Sequence, residues 1–304
     1  MKAMAIDGFG APPSLHDLPV PEPGEGEVLV RVRASSVNGL DVAVACGSRS
    51  GMSEPHFPVV LGRDFAGTVE AAGPDVRSLL PGDAVFGVVA ETMLGDGAFA
   101  EYAKAAEAHT ARVPAGLALA TAGALGLAGS AALAAIDAVA PLAGERLLIS
   151  GTTADVGRFA AQLAEASGAY VVATPRPDED DAYLRDLGAR DTVDRPLVVV
   201  ALRGSGVHVV VHLAGDGLEL ADILVPGGRM ASTPGLPGDQ LGRAVQATPV
   251  LALPSTQILG RLAADVVDGQ LTVPVQRTYA LADVPRALAD FKAGTRGKLA
   301  ISVA

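Results

Sequence analysis

Residues 27–33 set Val28, Val30 and Val32 against Glu27, Arg31 and Arg33, the alternation of a half-buried strand. Apolar runs at 59–61 and 66–71 predict further short strands, and Pro21, Pro23, Gly24, Gly26, Pro81, Gly82 and Asp83 supply the turns around them. Residues 1–110 therefore read as a β-rich module. Beyond about Pro114 the texture changes. Residues 117–141 form an alanine- and leucine-rich stretch that approaches membrane-spanning length. Asp137 and the many small side chains favour a helix buried in a protein core instead. Apolar strands then alternate with helix-length segments: a strand at 146–150, a helix at 156–167, and strands at 169–174, 206–213 and 228–232. That rhythm belongs to βαβ units, so a parallel, doubly wound sheet is the economical arrangement. The pattern leaves 194–207, with Val198, Val199 and Val200, open between helix and strand. His208 and His212 fall on one face of the 206–213 strand and read as sheet residues rather than ligands. The tail from Val273 predicts a helix over 281–292 and a strand over 298–303 that is free to rejoin the N-terminal module.

The length of 304 residues provides chain for two cores. Hydrophobic residues make up 49% and charged residues 19%, while aromatic residues are only 4% and Trp is absent. Small apolar residues suit parallel strands packed closely under helices, so composition supports an α/β class. A formal net charge of -11 excludes a surface built to neutralise phosphate backbones, and nucleic acid is not an expected partner. Cys46 is the only cysteine, which leaves no intrachain disulfide and no multi-cysteine zinc site and fits a reducing compartment. The opening MKAMAIDGFG carries neither a signal pattern nor a spanning segment, so the expected location is the cytoplasm, with no membrane partner.

The strand at 146–150 runs into GTTADVG, residues 151–157, and then into a helix. A glycine-rich turn in that place lets backbone N–H groups approach a pyrophosphate, with the positive end of the helix behind them. The G-x-G-x-x-G spacing maps to Thr152, Ala154 and Gly157, so only the third glycine, the one for close helix–strand packing, is present. The motif alone is equally consistent with a plain βα turn, and its context strengthens the nucleotide reading. Gly151, Thr152, Thr153, Ala154, Asp155, Val156 and Gly157 are thus candidate cofactor contacts, joined by Thr174, Arg176, Leu213 and Thr233 after the following strands. Arg176 stands near where an acidic residue would accept from ribose hydroxyls, and its charge favours NADP. Asp178, Glu179, Asp180 and Asp181 follow at once, and the alternative is that Arg176 pairs with this acidic run at a helix start.

The phrases PVPEPGEGEVLVRVRASSVNGLD at 19–41, PVVLGRDFAGTVEAAG at 58–73, PGDAVFG at 81–87, GAFAEYA at 97–103, LAGSAAL at 127–133, VPGGRMAS at 225–232 and RGKLAISV at 296–303 span nearly the whole chain. Together they resemble the medium-chain dehydrogenase/reductase superfamily, in particular its zinc-independent quinone oxidoreductase branch. The resemblance implies a GroES-like substrate domain made of 1–113 and 255–304, a Rossmann domain over 114–254, and a site in the cleft between them. Zinc-dependent members carry Cys where this chain has Asn38, and Gly-His-Glu where it has Gly62, Arg63 and Asp64. A catalytic zinc takes about three protein ligands, and Cys46 with His56 makes only a pair, so no metal is expected. The implied chemistry is hydride transfer from NADPH to a small electrophile, a quinone or α,β-unsaturated carbonyl, with donors in a dry cleft stabilising the developing oxyanion. Asn38, Asp41 and Lys298 are placed at that cleft as candidate catalytic residues. Their structural alternatives are a turn cap for Asn38 and a positional ion pair between Asp41 and Lys298. Relatives dimerise through an edge strand of the Rossmann sheet, near 228–253 here, so a homodimer is expected.

This sequence also departs from its relatives. Ala154 and Asp155 replace two glycines of the loop, Gly39 stands where the family has Pro, Ala43 where it has an aromatic nearby, and Ala131 where it has Thr. A methyl group at Ala154 limits backbone approach, and a carboxylate at Asp155 repels a diphosphate unless it turns away to cap the helix. These changes raise a second reading: a fold-retaining relative with weakened or lost nicotinamide binding, acting as a binding protein or a non-redox, cyclase-like tailoring enzyme. A third, a zinc alcohol dehydrogenase, requires stoichiometric metal. Acceptor choice is expected to rest on the loops 45–57 and 90–97.

Overall fold

The computed structural model describes residues 1–48, 54–90, 94–175, 181–235, 245–251 and 253–304. The chain divides into two units, the first made of Met1–Leu127, Leu253–Gly269 and Val273–Ala304 and the second of Ala128–Ala252 and Gln270–Thr272. Residues 114–127, assigned by sequence to the nucleotide-binding domain, therefore lie in the first unit.

The first unit opens with β1 (Lys2–Ile6), β2 (Ser14–Asp17), β3 (Glu27–Ser36), the helix α1 (Gly39–Ala45), β4 (Val59–Val60), β5 (Asp64–Ala72), β6 (Ala84–Val88), β7 (Tyr102–Ala106) and β8 (Thr110–Arg112). Along β3 the alternating valines are buried while Arg31 and Arg33 are exposed, as the period of two requires. Phe65, Phe86 and Phe99 are among the largest fully buried side chains, each worth about 1.5–3 kcal/mol of burial. The stretch 117–141 is broken, against the single helix expected, into α2 (Leu119–Ala122) and α3 (Gly126–Val139). Gly123 marks the break: a Cβ there would lie 2.9 Å from the carbonyl carbon of Ala34 in β3, so the chain approaches the strand backbone too closely for any side chain.

In the second unit β9 (Arg146–Ser150), α4 (Asp155–Ala166), β10 (Tyr170–Ala173), α5 (Asp181–Asp186), β11 (Asp191–Thr192), α6 (Val198–Leu202), β12 (Val207–His212), α7 (Gly217–Ala221), β13 (Leu224–Ser232) and β14 (Gln246–Pro249) follow in turn. The strands form one six-stranded sheet in the order β11-β10-β9-β12-β13-β14, with every pairing parallel. Counted from β9, this is the order 3-2-1-4-5-6 of the dinucleotide-binding fold, and the strand order reverses between β9 and β12. Leu147, Leu148 and Ile149 of β9 and Val209, Val210 and Val211 of β12 are all fully buried, the continuous apolar run of a strand covered on both faces. The open segment 194–207 resolves into a helical turn at Arg195–Leu197 followed by α6, in which Val198 and Leu202 face inward and Val200 is exposed.

The tail supplies α8 (Thr256–Val267), β15 (Val275–Ala280), α9 (Val284–Ala293) and β16 (Lys298–Ser302). β16 pairs antiparallel with β3, with Ala300 opposite Ser36, and a seven-stranded sheet results. On the other side of β3, Ala34 lies opposite Ala66 of β5. Continued by one pleat, these registers bring Lys298, Asn38, Ser36 and Asp64 to one place. No described helix is long and apolar enough to cross a membrane.

Candidate functional site

The turn 151–157 stands at the C-terminal edge of the parallel sheet, at its switch point. Gly151 N–H donates to the Thr174 hydroxyl at 2.8 Å, the Thr174 amide donates to the Thr152 hydroxyl at 3.0 Å, and Thr152 donates to the carbonyl of Ile149 at 2.8 Å. The Thr152 and Thr174 side chains, proposed by sequence as cofactor contacts, thus stitch β9 to β10 and have their hydroxyls committed to the protein. Gly157 does what the third glycine of the fingerprint is for. A Cβ there would lie 2.6 Å from Thr152 Cα and closer still to the Gly151 carbonyl oxygen. Ala154 is the residue before α4 and is exposed.

Asp155 does not face the mouth as an unmatched charge. Its Oδ1 accepts from Arg158 Nη1 at 2.7 Å within the first turn of α4, and both side chains are buried. The cation cancels the repulsion that the sequence led one to expect toward a diphosphate, and the spacing of three residues is the signal that pointed to it. Asp155→Asn is therefore expected to change the affinity for nicotinamide nucleotides less than about threefold, while lowering stability by about 1–2 kcal/mol because Arg158 loses a charged partner. Parallel calorimetric titrations and urea unfolding would separate the two effects. With its carboxylate neutralised by Arg158 and the helix terminus behind it, the turn fits the diphosphate of a dinucleotide.

The other expected contacts gather along the same edge. His212 pairs in register with Ser150 and with Ser232, so Leu213 and Thr233 follow the ends of β12 and β13 next to Gly151. His212 itself is held by Ser232 Oγ at 2.9 Å and the Gly215 carbonyl at 3.2 Å, and His208 Nδ1 accepts from the Arg146 amide at 3.1 Å. Both are sheet residues. A cavity of about 210 Å³ lies beside Ser150, lined also by Arg195, Pro196, Val198, Asp216 and Leu220. Arg176 lies outside the described residues, as do Asp178, Glu179 and Asp180.

In the first unit Asn38, Asp41 and Lys298 do come together, around Asp64, which stands at the position of a lost metal ligand. Asp64 is fully buried; its Oδ2 accepts from Ser36 Oγ at 2.6 Å and from Asn38 Nδ2 at 2.9 Å, and its Oδ1 from the Leu127 amide at 2.6 Å. Lys298, 2% exposed, donates to Asn38 Oδ1 at 2.8 Å and to the Val37 carbonyl at 3.1 Å. The carboxylate within ion-pair distance of its Nζ is that of Asp64, at 3.7 Å, which corrects the Asp41–Lys298 pair anticipated from sequence. Asp41 is drawn elsewhere by helix capping: its Oδ2 accepts from the amide of Asn38, the residue before α1, at 2.7 Å. Asn38 is thus occupied at both ends of its amide and caps the corner between β3 and α1.

Among the described residues Oδ1 of Asp41 has no hydrogen-bond partner, and burial pushes the carboxyl up to about 7, against the pull of the Asn38 amide and of the Arg63 and Lys298 charges; Asp64 adds to the rise. A carboxyl raised on folding lends stability that is full below its unfolded value near 4 and is lost as the pH climbs through 7. Asp41→Asn escapes that loss. Its stability relative to the parent is expected to grow by about 2–3 kcal/mol between pH 5 and pH 8, measured by urea unfolding at both.

A larger cavity of the first unit, about 790 Å³, is lined by Met1, Leu18, His56, Phe57, Ala90 and Asp96 among others, drawing on both loops expected to choose the acceptor. Among the described residues no group of three or more His, Cys, Asp or Glu side chains is placed to hold a metal ion. At the positions where zinc-dependent members carry ligands, Arg63 brings a permanent cation and Asn38 Oδ1 is taken by Lys298, so this donor set does not fit zinc.

A β-rich unit with a returning C-terminal strand, joined in one chain to a parallel sheet in dinucleotide-binding order, defines a two-domain dehydrogenase-like fold. Residues 24–115 match the alcohol dehydrogenase GroES-like domain and residues 187–301 match zinc-binding dehydrogenase. A quinone oxidoreductase of Lama guanicoe is 30% identical over 243 residues, which cover 76% of this chain and 72% of that protein. A chloroplastic quinone oxidoreductase, QR1, of Triphysaria versicolor is 33% identical over 205 residues, 64% of this chain, and the match spans only 61% of that relative's length. Among solved structures, the quinone oxidoreductase of Coxiella burnetii superposes with a TM-score of 0.91 at 28% identity, covering 100% of this chain and 99% of that one. A mycobacterial protein complexed with NADPH gives 0.86 at 27% identity, covering 99% and 100%. The chain belongs to the medium-chain dehydrogenase/reductase superfamily, in its quinone-oxidoreductase-like branch.

Proposed function

We propose that this protein is a nicotinamide-dependent oxidoreductase that passes a hydride from NADPH to a quinone or an α,β-unsaturated carbonyl without a metal. What carries the reading is the junction of β9, the 151–157 turn and α4 at the switch point of a sheet in dinucleotide-binding order. The quinone oxidoreductases among its relatives and the NADPH held by the mycobacterial neighbour support the same chemistry. Bound there, the cofactor supplies a hydride from its nicotinamide ring.

The chain's own part is to bind and orient. Amides of the turn and of the first turn of α4 face the diphosphate, Leu213 and Thr233 border the dinucleotide along the sheet edge, and the cavity beside Ser150 takes the adenosine end. Arg176 makes NADPH the expected nucleotide. Asn38, Asp41 and Lys298 act by position: they fix the β3–α1 corner from which the 45–57 loop departs, and the loops around the larger cavity contact the acceptor. The metal-free assignment is supported by the donor set at Asn38, Arg63 and Asp64. β14 is an edge strand of the sheet, the place of contact for the homodimer we expect, and the single cysteine favours a cytoplasmic setting.

The test is a screen of menadione and other quinones together with simple enones, following loss of the reduced-nicotinamide absorbance. Turnover that needs protein and survives dialysis against a chelator is expected. A preparation that binds NADPH yet reduces none of the panel would turn the reading toward a non-redox relative.

A further inference from the structure

At the ends of β12 and β13 one buried ring faces more hydrogen-bond acceptors than its neutral form has protons for. His212 and Ser232 are 2% and 1% exposed. Nε2 of His212 lies 3.2 Å from the Gly215 carbonyl oxygen, which can only accept, so that contact needs a proton on Nε2. Nδ1 lies 2.9 Å from Ser232 Oγ, and the Ser232 hydroxyl donates to the Gly235 carbonyl at 3.2 Å. A neutral imidazole has a single N–H. With that proton on Nε2, the one hydroxyl proton of Ser232 must serve either Nδ1 or the Gly235 oxygen, and one contact is lost. With it on Nδ1, the Gly215 contact is lost instead. Only the imidazolium makes all three together, donating from both nitrogens and leaving the Ser232 proton to Gly235.

Those contacts join two turns that leave the sheet side by side. The Leu213 amide donates to the Ser150 carbonyl at 3.0 Å and the Thr233 amide to the His212 carbonyl at 3.1 Å, and beyond them the chain runs to Gly215 and to Gly235. Among the charged groups on the surrounding elements, Asp216 caps α7, Glu219 lies in its first turn, and Arg229 of β13 pairs with Glu145. Arg146 and His208 stand toward the opposite ends of β9 and β12. Among the described residues no charged side chain is within hydrogen-bonding or ion-pair reach of the His212 ring. A charged ring there has no counterion of its own, and a buried cation is unfavourable until an anion comes near.

We propose that His212 is a positioning residue that couples dinucleotide binding to the uptake of a proton from solvent: the second proton goes to Nδ1, and the imidazolium fastens the 213–216 turn to the 233–235 turn. This rests on the nucleotide reading, which places Leu213 and Thr233 beside the dinucleotide. The negative charge of the diphosphate and the completed set of hydrogen bonds both favour the charged ring. Binding and protonation therefore help one another, and affinity is higher on the acid side and falls as the pH climbs through the range in which histidine changes charge.

The test has one arm without nucleotide and one with it. The full chain, carrying 15N in its five histidines, is titrated with acid by NMR, and loss of a signal in His212→Asn assigns the ring. The neutral ring is expected to carry its proton on Nε2, and a proton on Nδ1 would overturn the proposal. NADP+, which is stable in acid, is then titrated calorimetrically at pH 6 and pH 8.5 in buffers of different ionisation heat. The ratio of affinities at the two pH values should be about five- to tenfold larger in the parent than in His212→Asn, with up to about half a proton more taken up per nucleotide. Ser232→Ala removes the acceptor that makes the second proton useful and should behave as His212→Asn does; a response like the parent's would count against the proposal. If His212→Asn does not fold, Ser232→Ala decides by the same comparison. Absence of NADP+ binding at either pH would sink the nucleotide reading and this inference together, whereas binding with the same pH ratio and proton uptake in parent and variants would overturn this inference alone.

Discussion

Asp64→Ala is expected to cost about 3–5 kcal/mol, enough to unfold a large share of the molecules of a domain of ordinary stability. The magnitude comes from what the substitution leaves behind. Asp64 is fully buried and accepts three hydrogen bonds, from Ser36, Asn38 and the Leu127 amide, at 2.6–2.9 Å. It is also the carboxylate beside Lys298, itself buried on β16. Removing it strands a cation and three donors without water, and an orphaned buried charge is far more damaging than the pair was stabilising. Asp64→Asn keeps shape and acceptors on one side and should lose less, and Ser36→Ala, which removes one hydroxyl, only about 1 kcal/mol. A double-mutant cycle with Lys298→Met, read by urea unfolding, should show coupling of at least about 1 kcal/mol. Additive losses would mean that the Lys298 ammonium and the Asp64 carboxylate do not stabilise one another.

Gly157→Val should weaken NADPH by at least about a hundredfold, close to 2.7 kcal/mol, and cost a further 1–3 kcal/mol of stability as an overpacked contact. The atoms that a side chain would meet belong to the backbone of Gly151 and Thr152, which cannot rotate away, so the turn itself must move. That is the part of the chain proposed to hold the diphosphate. Val156→Ala, on the neighbouring and partly exposed position, is the control and should leave both quantities close to the parent. Calorimetric titration of each purified variant, alongside thermal unfolding, would show whether the loss follows the glycine or the helix as a whole.

The architecture was legible because its signals are local. The apolar centre Leu147–Ile149 of residues 146–150 is the strand β9, the 156–167 helix is α4 shifted one residue earlier at both ends, and the last strand does rejoin β3. Where the sequence was ambiguous, propensity and context competed. Val198, Val199 and Val200 carry strand preference, but Asp194-Arg195-Pro196 in front of them starts a helical turn, and burial of Val198 and Leu202 four residues apart settles the helix. The break at Gly123 was invisible to hydrophobicity, since it answers to the backbone of β3 nearly ninety positions away.

The site is less legible, because its contacts are not local. Asn38, Asp41 and Lys298 stand out together in the sequence, but their partners depend on strand registers that no spacing reveals, and Asp64 at the centre shows there only as a missing metal ligand. Asp155 illustrates the opposite case. Its neutralising partner lies three residues on, within one helical turn, and a periodicity argument would have found Arg158 from the sequence alone.

The most direct test of the account is calorimetric titration of the full chain with NADPH and with NADH. Saturable one-site binding of NADPH, tighter than that of NADH and lost in Gly157→Val, is the predicted result. No heat of binding from either nucleotide at millimolar concentration, from a protein shown to be folded, would contradict it.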